Sequence, residues 1–236
     1  MKYAIIAAGD GRRLSAEGFS EPKPLVRVGG ECLVDRLIRI FMNNRAEEII
    51  VICNDHTPLV PQHLVALQRD GLKGRPVPLR FVVKSTPSSM HSFFEISKYL
   101  TDGPFILTTV DTIFREDEFA EYVKTFRQFK GDGLMGVTDF VDDEKPLYVS
   151  TDDDLWITAF INQCDCPRYV SGGIYALTPR SLTTLRDCVA NGEQRMRNFQ
   201  RALLRDGLKL KAWPFSKVLD VDHVSDIQKA EAFLQG

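Results

Sequence analysis

This 236-residue sequence has no long apolar run, and we expect no secretory leader from its first residues. No stretch approaches the roughly 18 consecutive apolar residues of a membrane-spanning helix, so we expect no membrane span. Residues 1–9 carry one basic residue and only a short apolar run, which is atypical of a signal peptide. We therefore expect a cytoplasmic protein without a membrane partner.

Disulfide and zinc frameworks are also missing. The five cysteines form an odd set without the spacing of a disulfide framework. Cys164 and Cys166 form a Cys-x-Cys pair, but no second pair or histidine cluster completes a zinc site. We interpret the cysteines as reduced thiols, which fits a reducing compartment.

Neither sign of charge dominates the sequence. Thirty lysine and arginine residues stand against 32 aspartate and glutamate residues, for a formal net charge of −2. This balance gives no general attraction to nucleic acid, so we expect no nucleic-acid partner. If the ligand is anionic, its positive charge must be supplied locally. With 44% hydrophobic residues the chain can bury a large core.

Short apolar runs alternate with helical patterns over residues 1 to about 115. Each run is typical of a strand that is buried on both faces. Such alternation implies right-handed crossovers and a mainly parallel sheet. The predicted fold class is therefore α/β, with three layers: a Rossmann-like mixed, mainly parallel sheet and helices on both of its faces. The predicted strands here are 3–8, 48–53, 79–83 and 105–110, and the predicted helices are 32–41, 58–68 and 89–100.

Residues from about 116 to 236 show a more mixed pattern, which indicates an antiparallel or mixed extension of the sheet. No repeat, low-complexity tract or flexible linker divides the chain, so we predict a single domain over residues 1–236 with two functional halves. The acidic clusters at 142–144 and 152–154 are interpreted as solvated turns, with a metal site as the alternative. The predicted strands are 133–140, 147–150, 155–160, 169–177 and 208–213, and the predicted helices are 116–129, 181–190, 193–205 and 225–234.

A glycine-rich turn, AAGDGRRL, follows the first predicted strand. Glycines let backbone N–H groups approach a phosphate closely and tolerate positive φ. A Walker A loop is excluded because no Gly-Lys-Ser/Thr follows the first glycine. The dinucleotide fingerprint is excluded because Leu14 stands in place of its third glycine and because we expect no helix directly after the turn.

A lysine framed by two prolines, Lys23 in EPKPL, lies ten residues after Arg13. Prolines fix their own φ and bias the preceding residue toward extended geometry, so this segment is stiff. An ammonium about 4 Å from a phosphate oxygen interacts by roughly 4 kcal/mol at an effective dielectric of about 20. The guanidinium of Arg13 is a planar fork suited to phosphate oxygens. Together they predict a cradle for a triphosphate, with a solvated surface lysine as the alternative.

These residues resemble the N-terminal pattern of the nucleotidyltransferases that make nucleoside-diphosphate sugars, a family that includes sugar-1-phosphate nucleotidyltransferases and MobA-like enzymes. The family pattern is AAGxGTRL, a variable stretch and PKPL, and this chain has AAGDGRRL and EPKPLVRVGG. Arg12 departs from the usual threonine or serine. Further matches at TVD (109–111), SGGIY (171–175) and VLDVD (218–222) extend the resemblance over nearly the whole chain.

The resemblance implies a Mg²⁺-dependent transfer of a nucleotide from a nucleoside triphosphate to a phosphorylated acceptor. Lys23 would neutralise charge on the α-phosphate, and Arg13 would hold the leaving pyrophosphate. Asp111, at the end of a strand where open α/β sheets bind ligands, would bind the metal ion. Asp220 and Asp222 both match the second metal-binding position of the family, and the choice between them stays open. The implied nucleotide-binding residues are Ala7, Ala8, Gly9, Gly11, Arg12, Ser88 and Ser89.

Three hypotheses for the overall function follow. The first is an enzyme that uses a sugar 1-phosphate and makes an NDP-sugar. The second is a cytidylyltransferase or guanylyltransferase that acts on a phosphocholine-like alcohol or a cofactor phosphate, because the glycines that hexose-phosphate members often carry near Ser88 are missing. The third is a non-catalytic nucleotide-sensing module, prompted by Arg12. The base, and the choice between monomer and homo-oligomer, stay open.

Candidate acceptor residues come from the second half of the chain. Gly172 and Gly173 resemble the family segment that lies against the acceptor, with a strand bulge as the alternative. Lys217 is a candidate for the acceptor phosphate or for an ion pair with the terminal aspartates. Ser88 and Ser89 open a predicted helix, where their hydroxyls either cap the helix or contact the nucleotide.

Overall fold

The computed structural model describes residues 1–141, 145–164 and 168–235. Within them the strands are β1 (Lys2–Ala7), β2 (Arg27–Val28), β3 (Glu31–Cys32), β4 (Glu48–Cys53), β5 (Leu79–Val83), β6 (Phe105–Thr109), β7 (Thr112–Ile113), β8 (Gly133–Thr138), β9 (Tyr148–Thr151), β10 (Ile157–Ile161), β11 (Tyr169–Leu177), β12 (Leu210–Pro214) and β13 (Leu219–Asp220). The helices are α1 (Arg12–Ala16), α2 (Leu33–Asn43), α3 (Leu59–Asp70), α4 (Ser89–Ser97), α5 (Glu116–Gln128), α6 (Ser181–Ala190), α7 (Met196–Arg205) and α8 (Val224–Gln235), and a 3-10 turn spans Lys23–Leu25.

The strands of these described ranges form a nine-stranded sheet and two small two-stranded sheets. Along the large sheet the order is β10-β9-β11-β6-β1-β4-β5, with β8 beside β11 and β12 beside β8. Strands β5, β4, β1 and β6 are parallel. Strand β11 runs antiparallel to β6, β8 and β9. The sheet is therefore mixed, with the parallel first half that the sequence predicts.

Strand β1 explains the three layers of the fold. Successive side chains of a strand point to opposite faces, and from Tyr3 to Ala7 of β1 both sets are apolar and buried. Tyr3 and Ile5 belong to a core shared with α2, α3 and α5, whereas Ala4 and Ile6 belong to one shared with α4, α6 and α7. Tyr3 stacks on Phe41 of α2 with 4.6 Å between the ring centroids. Helices therefore cover both faces of the sheet.

The connection order creates a crevice beside β1. Strands β4 and β5 are added on one side of β1, and β6 is added on the other. In open α/β sheets, ligands bind at the carboxyl ends of the strands where the order reverses in this way. The glycine-rich turn follows β1 and Asp111 follows β6, so the pairing of these two strands brings the turn and the carboxylate to one crevice.

Two expectations need correction. A five-residue helix, α1, begins at Arg12 directly after the glycine-rich turn, where the sequence predicts none. A helix of this length is shorter than two turns, and too few residues are present to show the apolar spacing typical of a helix. The helix predicted over 193–205 begins only at Met196. Arg195, directly before it, has a left-handed φ of 72°, which is incompatible with helical geometry. The other predicted strands and helices are present, with the predicted bounds at 48–53, 79–83, 169–177 and 181–190 and with ends shifted by up to three residues elsewhere.

The acidic cluster at 152–154 is a turn. The Oδ1 of Asp152 accepts hydrogen bonds from the backbone N–H of Asp154 at 3.1 Å and of Trp156 at 2.8 Å. The cluster at 142–144 and Cys166 lie outside the described residues, and the four other cysteines are free thiols. Across the described parts of the chain, no helix combines the length and the apolar character needed to cross a bilayer.

Candidate nucleotidyl-transfer site

An open cleft of about 490 Å³ lies beside the glycine-rich turn, and we name it the first cleft. Widely separated segments line it, from β1, the proline-framed turn, the start of α4 and the ends of β6 and β13. The predicted site residues among its lining are Ala7, Ala8, Gly9, Gly11, Arg12, Arg13, Lys23, Ser88, Ser89, Asp111 and Asp222.

The glycine-rich turn packs directly against the lysine segment. Gly11 has a φ of +61°, and a Cβ added there would lie 3.3 Å from the Cβ of Lys23. Both the left-handed φ and the close approach favour glycine. Asn54, buried just after β4, donates from Nδ2 to the carbonyl oxygen of Gly9 at 3.1 Å. Sequence reasoning missed Asn54, whose signal is its place directly after a buried parallel strand.

The ammonium of Lys23 bridges two carboxylates. Its Nζ donates to Oδ2 of Asp111 at 2.5 Å and to Oδ1 of Asp222 at 2.6 Å. The Lys23 side chain is only 9% exposed. Pro22 precedes the 3-10 turn that contains Lys23, and Pro24 lies within that turn. The backbone on both sides of the lysine is thus fixed, and its ammonium faces the cleft instead of bulk water.

Burial and charge act in opposite directions on this cluster. Burial lowers the pKa of Lys23, but the charges and hydrogen bonds of Asp111 and Asp222 outweigh it and leave that pKa above its ordinary value. Burial raises the pKa of Asp111, but the charge of Lys23 and hydrogen bonds from Lys23 and Thr109 outweigh it, so the pKa of Asp111 is lowered. Lys23 and Asp111 are therefore both charged at neutral pH.

The two arginines of α1 differ in their surroundings. The Nη1 of Arg13 donates to Oδ2 of Asp222 at 2.5 Å, and the Arg13 side chain is 51% exposed. Arg12, which stands where the family usually has a hydroxyl residue, pairs with Asp10 at 2.8 Å and is 87% exposed. Arg13 thus belongs to the ionic cluster, whereas Arg12 lies at the mouth of the first cleft.

Ser88 and Ser89 reach the first cleft at the start of α4. The Ser88 hydroxyl does not cap the helix, so the capping interpretation is wrong for it. Its Oγ lies 2.9 Å from Nδ1 of His91 instead. Thr86 orders the same turn, since its Oγ1 donates to the carbonyl oxygen of Ser88 at 3.1 Å. These contacts place small polar groups on the cleft wall next to a helix N-terminus.

A second cleft, of about 230 Å³, shares Arg13 and Asp222 with the first. Gly172 of β11 and Asp220 of β13 line it, together with residues at the start of α8. The ion pair between Arg13 and Asp222 therefore forms a wall common to both clefts.

Gly172 and Gly173 lie at a bulge. The pairing of β11 with β8 shifts its register at these two residues. Gly173 has a φ of +71°, and a Cβ there would lie 3.3 Å from Oγ1 of Thr112 and 3.4 Å from Oγ1 of Thr109. The bulge expected as the alternative is therefore present. It is compatible with an acceptor site, because Gly172 also lines the second cleft.

Lys217 does not itself line either cleft. Its Nζ lies 4.0 Å from the ring centroid of Phe140 and 5.5 Å from that of Phe233. Phe140 lines the second cleft, so the ammonium of Lys217 is a cation–π partner of a cleft residue.

Asp111 and Asp222 have the chemistry of a magnesium site. Carboxylate oxygens are the hard ligands that Mg²⁺ prefers, and the buried Oδ1 of Asp111 accepts no hydrogen bond. Buried polar atoms are normally satisfied, so this oxygen is suited to a cation. Within residues 1–141, 145–164 and 168–235, no three His, Cys, Asp or Glu side chains form a metal cage. Phosphate and water oxygens, which Mg²⁺ commonly retains, would complete the coordination.

A comparison with models of protein families identifies the family of this chain. The model of the nucleotidyl transferase family matches residues 2–236. The chain belongs to this family. The match runs through both clefts, since it includes the glycine-rich turn at one end and Asp222 at the other.

The curated relatives that match long stretches of this chain share 26% and 29% sequence identity with it. The bifunctional IPC transferase and DIPP synthase of Rubrobacter xylanophilus is 26% identical over 247 residues, which cover 99% of this chain and 52% of that protein. A protein of the same name from Thermococcus kodakarensis matches over 29% of its length. This nucleotidyl transferase chain thus spans about half or less of these curated relatives.

Solved structures share the fold. The inositol-1-phosphate CTP transferase from T. maritima superposes with a TM-score of 0.77 and 19% identity, covering 99% of this chain and 97% of that one. A UDP-glucose pyrophosphorylase complexed with UDP-glucose superposes with a TM-score of 0.80 and 15% identity, covering 98% and 97%. At these identities the likeness shows the mixed sheet with its helices, and no more.

Proposed function

We propose that this chain is a Mg²⁺-dependent nucleotidyltransferase. It joins the α-phosphate of a nucleoside triphosphate to the phosphate of a polyhydroxylated acceptor, a sugar 1-phosphate or a cyclitol phosphate, and releases pyrophosphate. The observation that carries this proposal is the shared wall of the two clefts, formed by Arg13 and Asp222. The acceptor phosphate must reach the α-phosphorus of the triphosphate, so the two substrate sites must adjoin. The two clefts adjoin at Arg13 and Asp222.

The nucleoside triphosphate occupies the first cleft in this proposal. The backbone of the glycine-rich turn lies along the phosphates, Lys23 neutralises charge on the α-phosphate, and Arg13 holds the leaving pyrophosphate. An oxygen of the acceptor phosphate forms a bond to the α-phosphorus as the bond to the β-phosphate oxygen breaks, and that oxygen leaves with the electron pair. No protein nucleophile is needed, because positioning and electrostatic stabilisation lower the barrier.

Asp111 and Asp222 would hold the metal ion, with Asp222 as the second carboxylate in preference to Asp220. The preference rests on Lys23, which contacts both Asp111 and Asp222. When bound, Mg²⁺ would neutralise phosphate charge that develops during transfer. As the triphosphate enters, its α-phosphate replaces part of the carboxylate contact of the Lys23 ammonium, so the lysine is charged and oriented before the substrate arrives.

Hydroxyl-bearing and acidic side chains favour a polyhydroxylated acceptor. Ser171, Thr138 and Asp220 line the second cleft and offer hydrogen-bond partners to sugar or cyclitol hydroxyls. A quaternary ammonium group such as that of phosphocholine would need an open aromatic face. The ring of Phe140 is already paired with the ammonium of Lys217 at 4.0 Å, which disfavours that acceptor.

The names of the relatives guide the choice of first substrates. An inositol-1-phosphate CTP transferase and a bifunctional IPC transferase are among them, as is a UDP-glucose pyrophosphorylase. We therefore propose CTP with inositol 1-phosphate, and UTP or CTP with glucose 1-phosphate, as the first pairs. We also propose that residues 1–236 act as one domain, with the first cleft built mainly from residues 1–115.

A pyrophosphate-release assay tests the proposal. The chain is mixed with Mg²⁺, each of the common triphosphates and a panel of sugar, cyclitol and choline phosphates. We expect release that needs both an acceptor and Mg²⁺, and that is lost in Lys23→Met. Triphosphate binding without turnover across the whole panel would contradict the enzyme proposal and support a nucleotide-sensing module.

A further inference from the structure

The backbone around Asp222 is held by the carboxylate of Asp226, four residues later in the chain. The Oδ2 of Asp226 accepts the N–H of Asp222 at 3.1 Å and the N–H of His223 at 2.8 Å. Asp226 lies in the first turn of α8, so it acts like the acidic member of a capping box. The segment before α8 therefore has little freedom at these two amides.

A second carboxylate reaches the same segment from the other end of the chain. The Oε2 of Glu17 accepts the N–H of Val224 at 2.7 Å, and its Oε1 lies 2.5 Å from Nδ1 of His223. Glu17 directly follows α1, and its own N–H donates to the carbonyl oxygen of Arg13 at 3.2 Å. A single short helix thus carries Arg13 to the side chain of Asp222 and Glu17 to the backbone that follows it.

We propose that Glu17 is a positioning residue which, with Asp226, sets the carboxylate of Asp222 in the wall between the two clefts. Glu17 lines neither cleft, so it acts through Asp222 and not on a substrate. It also ties the glycine-rich turn that precedes α1 to the acceptor side of the site. This role rests on the proposed function, because it assigns Glu17 to the transfer that Asp222 serves.

The consequence for catalysis differs from that of losing a substrate contact. Glu17→Ala releases His223 and Val224, so Asp222 samples positions away from Lys23 and Arg13. Partners that orient a metal-binding carboxylate commonly contribute about 10–100-fold, and we expect kcat to fall by about that factor. The KM for the triphosphate should change less than about threefold, since the glycine-rich turn itself is unaltered. Glu17→Gln keeps an oxygen acceptor for Val224 and should lose less.

Hydrogen exchange tests the clamp without any need for turnover. In the chain without ligands, a peptide covering residues 219–226 should exchange faster in Glu17→Ala than in the wild type. Glu121→Ala is the matched control, because its exposed carboxylate pairs with Lys124 within α5. Unchanged exchange in Glu17→Ala overturns the proposal whatever the activity, and Glu17→Gln with an intermediate rate guards against a general folding defect.

A double-mutant cycle with Asp222→Asn then separates positioning from a merely structural role. If Glu17 acts through Asp222, Glu17→Ala lowers kcat in the wild-type background but adds little to Asp222→Asn. Equal losses in both backgrounds overturn the proposal. A wild type that releases no pyrophosphate defeats the proposed function instead, and the exchange measurement still decides whether Glu17 holds the segment.

Discussion

Arg13 Nη1 and Asp222 Oδ2 meet at 2.5 Å in the wall that the two clefts share. The two residues are 209 positions apart, so the centre of the site is assembled only when both ends of the chain have folded together. Lys23 and Asp111 extend the same cluster. Each charged group in it is thus held by another before any substrate binds, which is the preorganisation that phosphoryl transfer requires.

Lys23→Met removes the ammonium on which the proposed chemistry depends. We expect kcat for pyrophosphate release to fall by at least about 100-fold, as when an electrostatic stabiliser of a transition state is lost. Lys124→Met, at an exposed lysine of α5, is the matched control and should retain full activity. A Lys23→Met variant that keeps most of the wild-type rate would show that Lys23 is structural.

Lys23→Met should also change how the free energy of unfolding depends on pH. In the wild type Lys23 holds the pKa of Asp111 below 3.8, so their contribution to stability is present above about pH 4 and is lost as the pH falls through the lowered pKa. In Lys23→Met the burial that raises the pKa of Asp111 is no longer opposed by the ammonium. Ionising Asp111 then costs stability as the pH rises.

The difference in unfolding free energy between wild type and Lys23→Met should therefore widen from about pH 4 to pH 7. At pH 7 we expect it to be about 3–5 kcal/mol, the usual cost of leaving one partner of a buried pair alone. Urea unfolding in the presence of a chelator measures it, with circular dichroism as the signal. A difference that is the same at both pH values would mean that Asp111 is not desolvated.

The two late aspartates should differ in what they control. Asp222→Asn should reduce kcat by about 100-fold and weaken Mn²⁺ binding in the presence of a triphosphate analogue, because it alters the carboxylate between Lys23 and Arg13. Asp220→Asn should raise the KM of the acceptor with little effect on Mn²⁺ binding, since Asp220 lines the second cleft. Equal weakening of Mn²⁺ binding by both variants would mean that Asp220 is also a metal ligand.

Gly173→Ala tests the bulge that carries the second cleft. Gly192 has nearly the same φ, +72° against +71°, but nothing lies within 4 Å of a Cβ added there, so Gly192→Ala is the matched control. Both variants should lose about 1 kcal/mol through the left-handed backbone. Gly173→Ala should lose more, and should also lower kcat, because its Cβ would lie 3.3 Å from Oγ1 of Thr112, which is hydrogen-bonded to Thr109 in the lining of the first cleft. Identical melting temperatures and rates for the two variants would contradict this.

Much of the first cleft could be predicted from the sequence because its signals are local. A glycine-rich turn after a buried strand, and a lysine between two prolines, are each visible within a few residues. Asp111 could be placed as well, since its strand ends at the same sheet edge. The structure adds the distances, above all that Lys23 contacts both Asp111 and Asp222.

The rest of the site depends on contacts between distant segments. The choice between Asp220 and Asp222 depends on how the chain turns between Asp220, the last residue of the short strand β13, and Asp222. The sequence pattern does not determine this turn. Glu17 gave no signal either, because its partners lie 206 and 207 positions away. Lys217 lies three residues before Asp220 in the sequence, yet its ammonium lies over the ring of Phe140.

The fate of the α-phosphate tests the central claim most directly. A triphosphate carrying ³²P at its α-phosphate is incubated with Mg²⁺ and inositol 1-phosphate or glucose 1-phosphate, and the products are separated. We predict that the label appears in a nucleoside diphosphate joined to the acceptor, that unlabelled pyrophosphate forms in equal amount, and that Lys23→Met yields neither. Label that stays in the triphosphate with every acceptor, or that appears only as free nucleoside monophosphate, would contradict nucleotidyl transfer.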